Sequence, residues 1–143
     1  MNYEEAVAYI EEIPKFTTKN KMEHTKECLK RLGDPQDKFR VIHVAGTNGK
    51  GSTCAFLTSV LREAGYSCGL FTSPHLVVIN ERFQINEKNI DDETFLRAFC
   101  KVKALADELV EEGNYHPTYF EFLFLMGMVI FADAGVDYVV LET

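Results

Sequence analysis

At 143 residues the chain has the length of one domain, and 46% apolar residues suffice to bury a core. Its net charge of −7 excludes a general electrostatic footprint for nucleic acid or an anionic membrane, so any phosphate site has to be local. Cys28, Cys54, Cys68 and Cys100 form no CxxC pair and have no histidine at metal-ligand spacing, which reads as free thiols in a reducing, cytoplasmic compartment.

The start, Met1-Asn2-Tyr3-Glu4-Glu5, lacks signal-peptide character. From Tyr3 to Ile13, apolar Ala6, Val7, Ile10 and Ile13 recur at helical spacing among glutamates, and Pro14 ends the helix. A second helix is expected from Met22 to Leu32, stopped by Gly33 before Asp34-Pro35. Val41-Ile42-His43-Val44 has the apolar character of a buried strand, with His43 as a core histidine. After a glycine-rich loop, Phe56, Leu57, Val60 and Leu61 mark a helix that runs to Ala64 and stops at Gly65. Cys68 to Thr72 forms the next strand, completing a βαβ unit.

Ser73-Pro74-His75 opens a loop at that strand's carboxyl end, and Val77 to Asn86 reads as loop or short strand. Asp91-Asp92-Glu93 starts a helix whose apolar face is Phe95, Phe99, Val102, Leu105, Leu109 and Val110. Phe120 to Ala134 is apolar nearly all round, so Phe122, Phe124, Met126, Met128 and Phe131 read as core rather than as a box for a flat ligand. Its longest apolar stretch, Phe122 to Ala132, is shorter than the roughly 20 residues that span a bilayer. Val136 to Thr143 is a last, β-branched strand ending in a carboxylate, and the absence of anything after it suggests a truncated chain with an unfinished sheet.

The centre of the chain is Gly46-Thr47-Asn48-Gly49-Lys50-Gly51-Ser52. Strand, glycine-rich loop and helix follow in that order, so backbone N–H groups and the positive end of the helix dipole suit a phosphate. Lys50 adds a point charge, and Ser52 a hydroxyl for phosphate or Mg²⁺. Because Gly51 separates Lys50 from Ser52, the loop is a variant of the GxxxxGK[ST] P-loop. Glu142 ends an apolar strand, a position suited to holding Mg²⁺, and Ser73 follows a neighbouring strand at the same sheet edge. His75 reads as an exposed loop histidine. Thr118-Tyr119-Phe120-Glu121 brings polar groups to the start of a buried helix and reads as the wall of a pocket.

Together, Ile42 to Thr53, Ser73-Pro74-His75-Leu76, Asn80-Glu81-Arg82, Thr118 to Glu121 and Val140-Leu141-Glu142-Thr143 resemble the amino-terminal part of the folylpolyglutamate synthase/dihydrofolate synthase family, within the Mur ligase superfamily. Only 45 residues precede Gly46, whereas muramyl-peptide ligases carry a domain of roughly a hundred there, so the folate branch fits better. The resemblance implies an α/β, three-layer P-loop domain with a mostly parallel sheet, comprising two amino-terminal helices and a βαβ core within residues 1–143. It implies ATP-dependent addition of L-glutamate to dihydropteroate or folate through an acyl phosphate. ATP phosphates would lie on Gly46, Thr47, Asn48, Gly49, Lys50, Gly51 and Ser52, with Lys50 catalytic. Mg²⁺ would take Ser73, Glu142 and Ser52, and the pterin would border Glu12, Ile13 and Pro14 with Thr118, Tyr119, Phe120 and Glu121.

In that family the strand ending Leu-Glu-Thr leads into an arginine-containing segment, a histidine Mg²⁺ ligand, a modified lysine and a glutamate-binding domain, none of which occurs here. The 143 residues are therefore expected not to turn over substrate, to bind MgATP weakly, and to self-associate through unpaired strand edges. A nucleotide-binding module without ligase chemistry, or a muramyl-peptide-type ligase, are the competing readings.

Overall fold

The computed structural model describes residues 1–15, 19–46 and 49–142. Thr47 and Asn48, both assigned to phosphate above, lie outside the described residues, as does Thr143. The chain divides into two compact units, each assembled from separate stretches: residues 1–35 with 92–130, and 36–91 with 131–143.

The first unit is helical. Asn2 caps α1 (Tyr3–Glu11) in a capping box: its Oδ1 accepts from the Glu5 N–H at 2.8 Å, and Glu5 Oε1 accepts from the Asn2 N–H at 3.0 Å. α2 spans Met22–Arg31, α4 spans Asp92–Glu111, and α5 (Tyr119–Ala134) begins in this unit and ends in the other. Ala6 and Ile10 of α1 are fully buried, as are Phe95, Phe99 and Val102 of α4. Edge-on ring pairs join the two helices, Tyr3 to Phe95 at 5.3 Å and Tyr9 to Phe99 at 5.5 Å. Val110, expected on the buried face of α4, is 51% exposed, because it sits one position past Leu109 and so turns off that face. Arg31 ties α2 to the end of α4 through Glu108 and Glu112.

The second unit is built on an open five-stranded sheet of order β1-β5-β2-β3-β4. β1 (Arg40–Val44), β5 (Tyr138–Glu142) and β2 (Cys68–Phe71) run parallel; β3 (Phe83–Ile85) and β4 (Lys88–Asn89) add antiparallel strands beyond β2. The stretch before β3, Ile79–Arg82, is a 3-10 turn, and Asn86 and Glu87, both at positive φ, make the tight β3–β4 turn. α3 (Lys50–Glu63) covers one face of the sheet, burying Cys54 against Cys68, Leu70 and Val140, with Leu57 and Leu61 alongside.

Register keeps the faces distinct, since Ile42 and Leu70 both pair with Val140 while Gly69 pairs with Val139 on the reverse face. There the Phe131 ring lies directly over Gly69. The sequence order β1-α3-β2 conceals that β5 inserts between the two strands of that unit. β1, expected to be buried, pairs only with β5 among the described residues; Val41 is 44% exposed, and His43 is exposed rather than in the core.

All four cysteines are free, with Cys28, Cys54 and Cys68 buried and Cys100 exposed. No helix among the described residues is long and apolar enough to cross a membrane.

Candidate functional sites

Parallel pairing brings the predicted nucleotide residues to one edge of the sheet. β1 ends at Val44 opposite Glu142, the last residue of β5, and Phe71 ends β2 opposite Leu141, so Thr72 and Ser73 leave the sheet beside Glu142. Gly49 precedes α3 in the left-handed region at φ 75°, a conformation that favours glycine, and Lys50, Gly51 and Ser52 form the first turn. Cys54, one turn further on, registers the charges around it. Burial pushes its thiol pKa up and the Glu142 carboxylate pushes it further, while Lys50 pulls it down.

Two features of this edge bear on what it could hold. Glu142 is only 9% exposed, and its carboxylate has no hydrogen bond or ion pair among the described residues. No cluster of three or more His, Cys, Asp or Glu side chains converges there among the described residues. That donor set fits Mg²⁺, which takes one or two protein carboxylates and completes its shell with water and phosphate oxygens. Gly51 is the second feature. A Cβ added there meets nothing within 4 Å and its φ is not positive, so the fold itself does not require glycine. Gly51→Ala is expected to raise stability by roughly 0.5–1 kcal/mol on helix propensity while weakening nucleotide binding, because its methyl group would occupy space open to the ligand. Thermal melts beside a titration with a non-hydrolysable ATP analogue check both halves.

The loop after β2 is held from below. The Ser73–Pro74 bond is cis, and the Glu81 carboxylate accepts from the N–H groups of Leu76, Val77 and Val78 at 2.9–3.0 Å. Arg82, 6% exposed, donates from Nε to His75 Nδ1 at 2.8 Å, so His75 is anchored rather than simply solvated. The hydrogen bonds from Val78 and Leu76 hold the Glu81 carboxyl below its ordinary pKa. A depressed carboxyl contributes stability above its unfolded pKa and loses it as the pH falls through the folded value. Amide protection of residues 76–78 is therefore expected to stay constant as the pH falls from neutral into the ordinary carboxylate range and to be lost only below it, as read by hydrogen exchange.

A second site lies in the helical unit, a cleft of about 490 Å³ lined by Tyr9, Glu12, Ile13, Pro14, Asn20, Tyr115, His116, Pro117 and Thr118. Of the residues assigned to the pterin from sequence, Glu12, Ile13, Pro14 and Thr118 line it. Tyr119, Phe120 and Glu121 do not. Tyr119 is buried beneath the Lys15 ammonium, Phe120 is 38% exposed, and Glu121 is occupied by hydrogen bonds from Asn20 and Thr118. Burial pushes the Glu121 pKa up, but those hydrogen bonds outweigh it and hold it low. Tyr9, Asn20, Tyr115 and His116 escaped the sequence reading. Nothing local marks them, since Tyr9 and His116 meet through a 2.7 Å hydrogen bond across 107 positions of chain.

An open α/β sheet with a glycine-flanked helix start and a carboxylate at its carboxyl edge defines the class of proteins that bind ligands in the crevice at the strand ends. No protein-family model matches the chain. It is 40% identical over 142 residues to the dihydrofolate synthase/folylpolyglutamate synthase of Bacillus subtilis, covering 99% of this chain and 33% of that protein. It superposes on the apo form of Lactobacillus casei folylpolyglutamate synthase with a TM-score of 0.91 at 36% identity, covering 99% of this chain and 35% of the other. A structure of such a synthase in complex with AMPPCP and folate superposes equally well, with the same identity and coverage. The chain belongs to the folylpolyglutamate synthase family, and it spans between 19% and 33% of the length of the curated relatives it matches.

Proposed function

We propose that these residues carry the nucleotide-binding part, of Mur-ligase type, of an ATP-dependent amide ligase that adds L-glutamate to dihydropteroate or folate in the cytoplasm. The observation that carries this reading is the carboxylate of Glu142, without a partner among the described residues, beside Ser73 and the Lys50-Gly51-Ser52 turn. In the proposed chemistry a substrate carboxylate oxygen bonds to the γ-phosphorus of ATP as the bond to ADP breaks. The glutamate amine then attacks the acyl carbon, loses a proton and expels phosphate. Backbone N–H groups around Gly46, Thr47, Asn48 and Gly49, with Lys50, would neutralise charge on the transferring phosphoryl group. Glu142, Ser73 and Ser52 would hold Mg²⁺, which supplies further charge neutralisation when bound. The relative with bound AMPPCP and folate supports both ligands as classes.

The cleft of the helical unit is the proposed seat of the pterin, its flat face against Pro14, Pro117 and the aromatic rings. Alone, the 143 residues are proposed to bind MgATP weakly and not to turn over. Product formed from dihydropteroate, ATP and glutamate by the purified chain would overturn that.

The binding reading is tested by amide chemical shifts. Mg·AMPPCP is expected to perturb Gly49, Lys50, Ser52, Ser73 and Glu142, and pteroate to perturb Ile13, Asn20 and Thr118. A nucleotide response without any pteroate response would favour a bare nucleotide-binding module. Nucleic acid and membrane are not proposed partners, in keeping with the charge of −7. The edge of β1 that is unshared among the described residues, with Val41 exposed in that strand, supports self-association through strand pairing. Light scattering that stays monomeric from micromolar to millimolar chain would count against it.

A further inference from the structure

The cleft of the helical unit presents an unbalanced set of hydrogen-bonding groups. The Asn20 amide is oriented without ambiguity, because its Nδ2 donates to Glu121 Oε1 at 2.8 Å and to His116 O at 3.3 Å, and both can only accept. Glu121 grips the same residue a second time by accepting from the Asn20 backbone N–H at 3.1 Å. The remaining terminus of the amide, Oδ1, has no hydrogen-bond partner among the described residues.

His116 leads to the same outcome on Tyr9. Its Nδ1 lies 2.7 Å from Pro117 O, which can only accept, so Nδ1 carries the proton. In the neutral ring Nε2 then accepts from Tyr9 Oη at 2.7 Å. Burial pushes the Tyr9 pKa up, with Asp107 adding to it and Lys103 opposing, so the phenol keeps its proton. With that proton directed to His116, Tyr9 Oη offers lone pairs alone. Both Asn20 and Tyr9 line the cleft, and in each the polar atom left over from these hydrogen bonds can only accept.

We infer that Asn20, with its amide locked by Glu121, is the specificity-determining residue of this cleft, selecting flat heteroaromatic ligands whose edge carries N–H donors. The 2-amino-4-oxopteridine end of the proposed substrate has such an edge, and the inference rests on the cleft being the pterin site. The physical basis of selection is that an acceptor enclosed by a ligand without a matching donor loses its water and gains nothing. Glu121 is a positioning residue. Its two carboxylate oxygens take three hydrogen bonds, from Asn20 Nδ2, the Asn20 N–H and the Thr118 N–H, and a glutamine there would offer donors where only acceptors now face Asn20.

The test titrates the 143-residue chain with pterin-6-carboxylate and with its analogue bearing a methyl group in place of the 2-amino group, following ligand fluorescence. Wild type is expected to prefer the amino ligand by about tenfold. Asn20→Leu is expected to weaken the amino ligand by about tenfold and leave the methyl analogue within about twofold, erasing the preference. Glu121→Gln, which leaves Asn20 in place, is expected to reduce the preference to about threefold. Equal weakening of both ligands by either variant would show that Asn20 and Glu121 only hold the loop, and would overturn the inference. Ile13→Trp, which fills the cleft, separates the two readings. If it abolishes binding while Asn20→Leu keeps the preference, only the role of Asn20 falls. If pterin binding survives it, or wild type binds neither ligand, the cleft is not the pterin site and both readings fall.

Discussion

Lys50→Ala is expected to weaken Mg·AMPPCP binding by about a hundredfold, roughly 2–3 kcal/mol, without lowering the melting temperature. Lys50 opens α3 directly after the left-handed Gly49, and its charge reaches Cys54 together with that of Glu142. A charged donor aimed at a phosphate accounts for an effect of this size. The first turn of α3 is otherwise exposed, so little packing is lost with the side chain. Lys50→Arg is expected to recover only part of the affinity, because a planar fork is a poor replacement for a compact ammonium in a tight loop. Titrations of the three proteins beside their melting curves provide the check, and unchanged affinity in Lys50→Ala would remove the loop from the nucleotide site.

Gly69→Ala should destabilise the chain by about 3 kcal/mol, lowering its melting temperature by about 10 °C. A Cβ at Gly69 would fall 2.5 Å and 2.8 Å from two ring carbons of Phe131, well inside contact distance. The ring cannot swing aside cheaply, because it is fully buried with the Phe39 ring edge-on at 6.4 Å. Gly69→Ala combined with Phe131→Leu is expected to recover part of the loss, since the smaller side chain vacates the space the methyl group needs. A melting temperature unchanged by Gly69→Ala would mean that the ring does not lie over β2 as described.

The two substitutions probe features that differ in how they can be read from sequence. The glycine-rich loop is local. Its strand, its glycines and the apolar face of α3 follow one another within a short stretch, and turn chemistry and periodicity report such features directly. The helices formed where their periodicity placed them for the same reason, but three residues read as apolar-face positions are exposed: Phe56 at 67% and Val60 at 46% on α3, and Val110 at 51% on α4. Gly69 had no such signal. Its need for a missing side chain arises from Phe131, which is remote in sequence and reaches it only after β5 has inserted between β1 and β2.

His43 shows the same limit from the other side. An apolar run reads as buried whether its strand is central or at an edge, and only the strand order exposes this one. Glu121 was legible as a polar group at the start of an apolar helix, but its partner Asn20 comes from a distant loop. That partnership makes it a support for the cleft rather than part of its wall.

By itself, then, the sequence determined the chemistry available: a glycine-rich turn carrying Lys50 and Ser52, a strand ending in a carboxylate, and the resemblance that joins them. Residues close along the chain set these features, through backbone conformations that need no distant partner. Tertiary structure alone decided which of those groups meet. Val44 faces Glu142 because parallel pairing aligns strands far apart in sequence, leaving that carboxylate with no partner among the described residues, and Tyr9, Asn20 and His116 share a cleft because packed helices bring distant loops together.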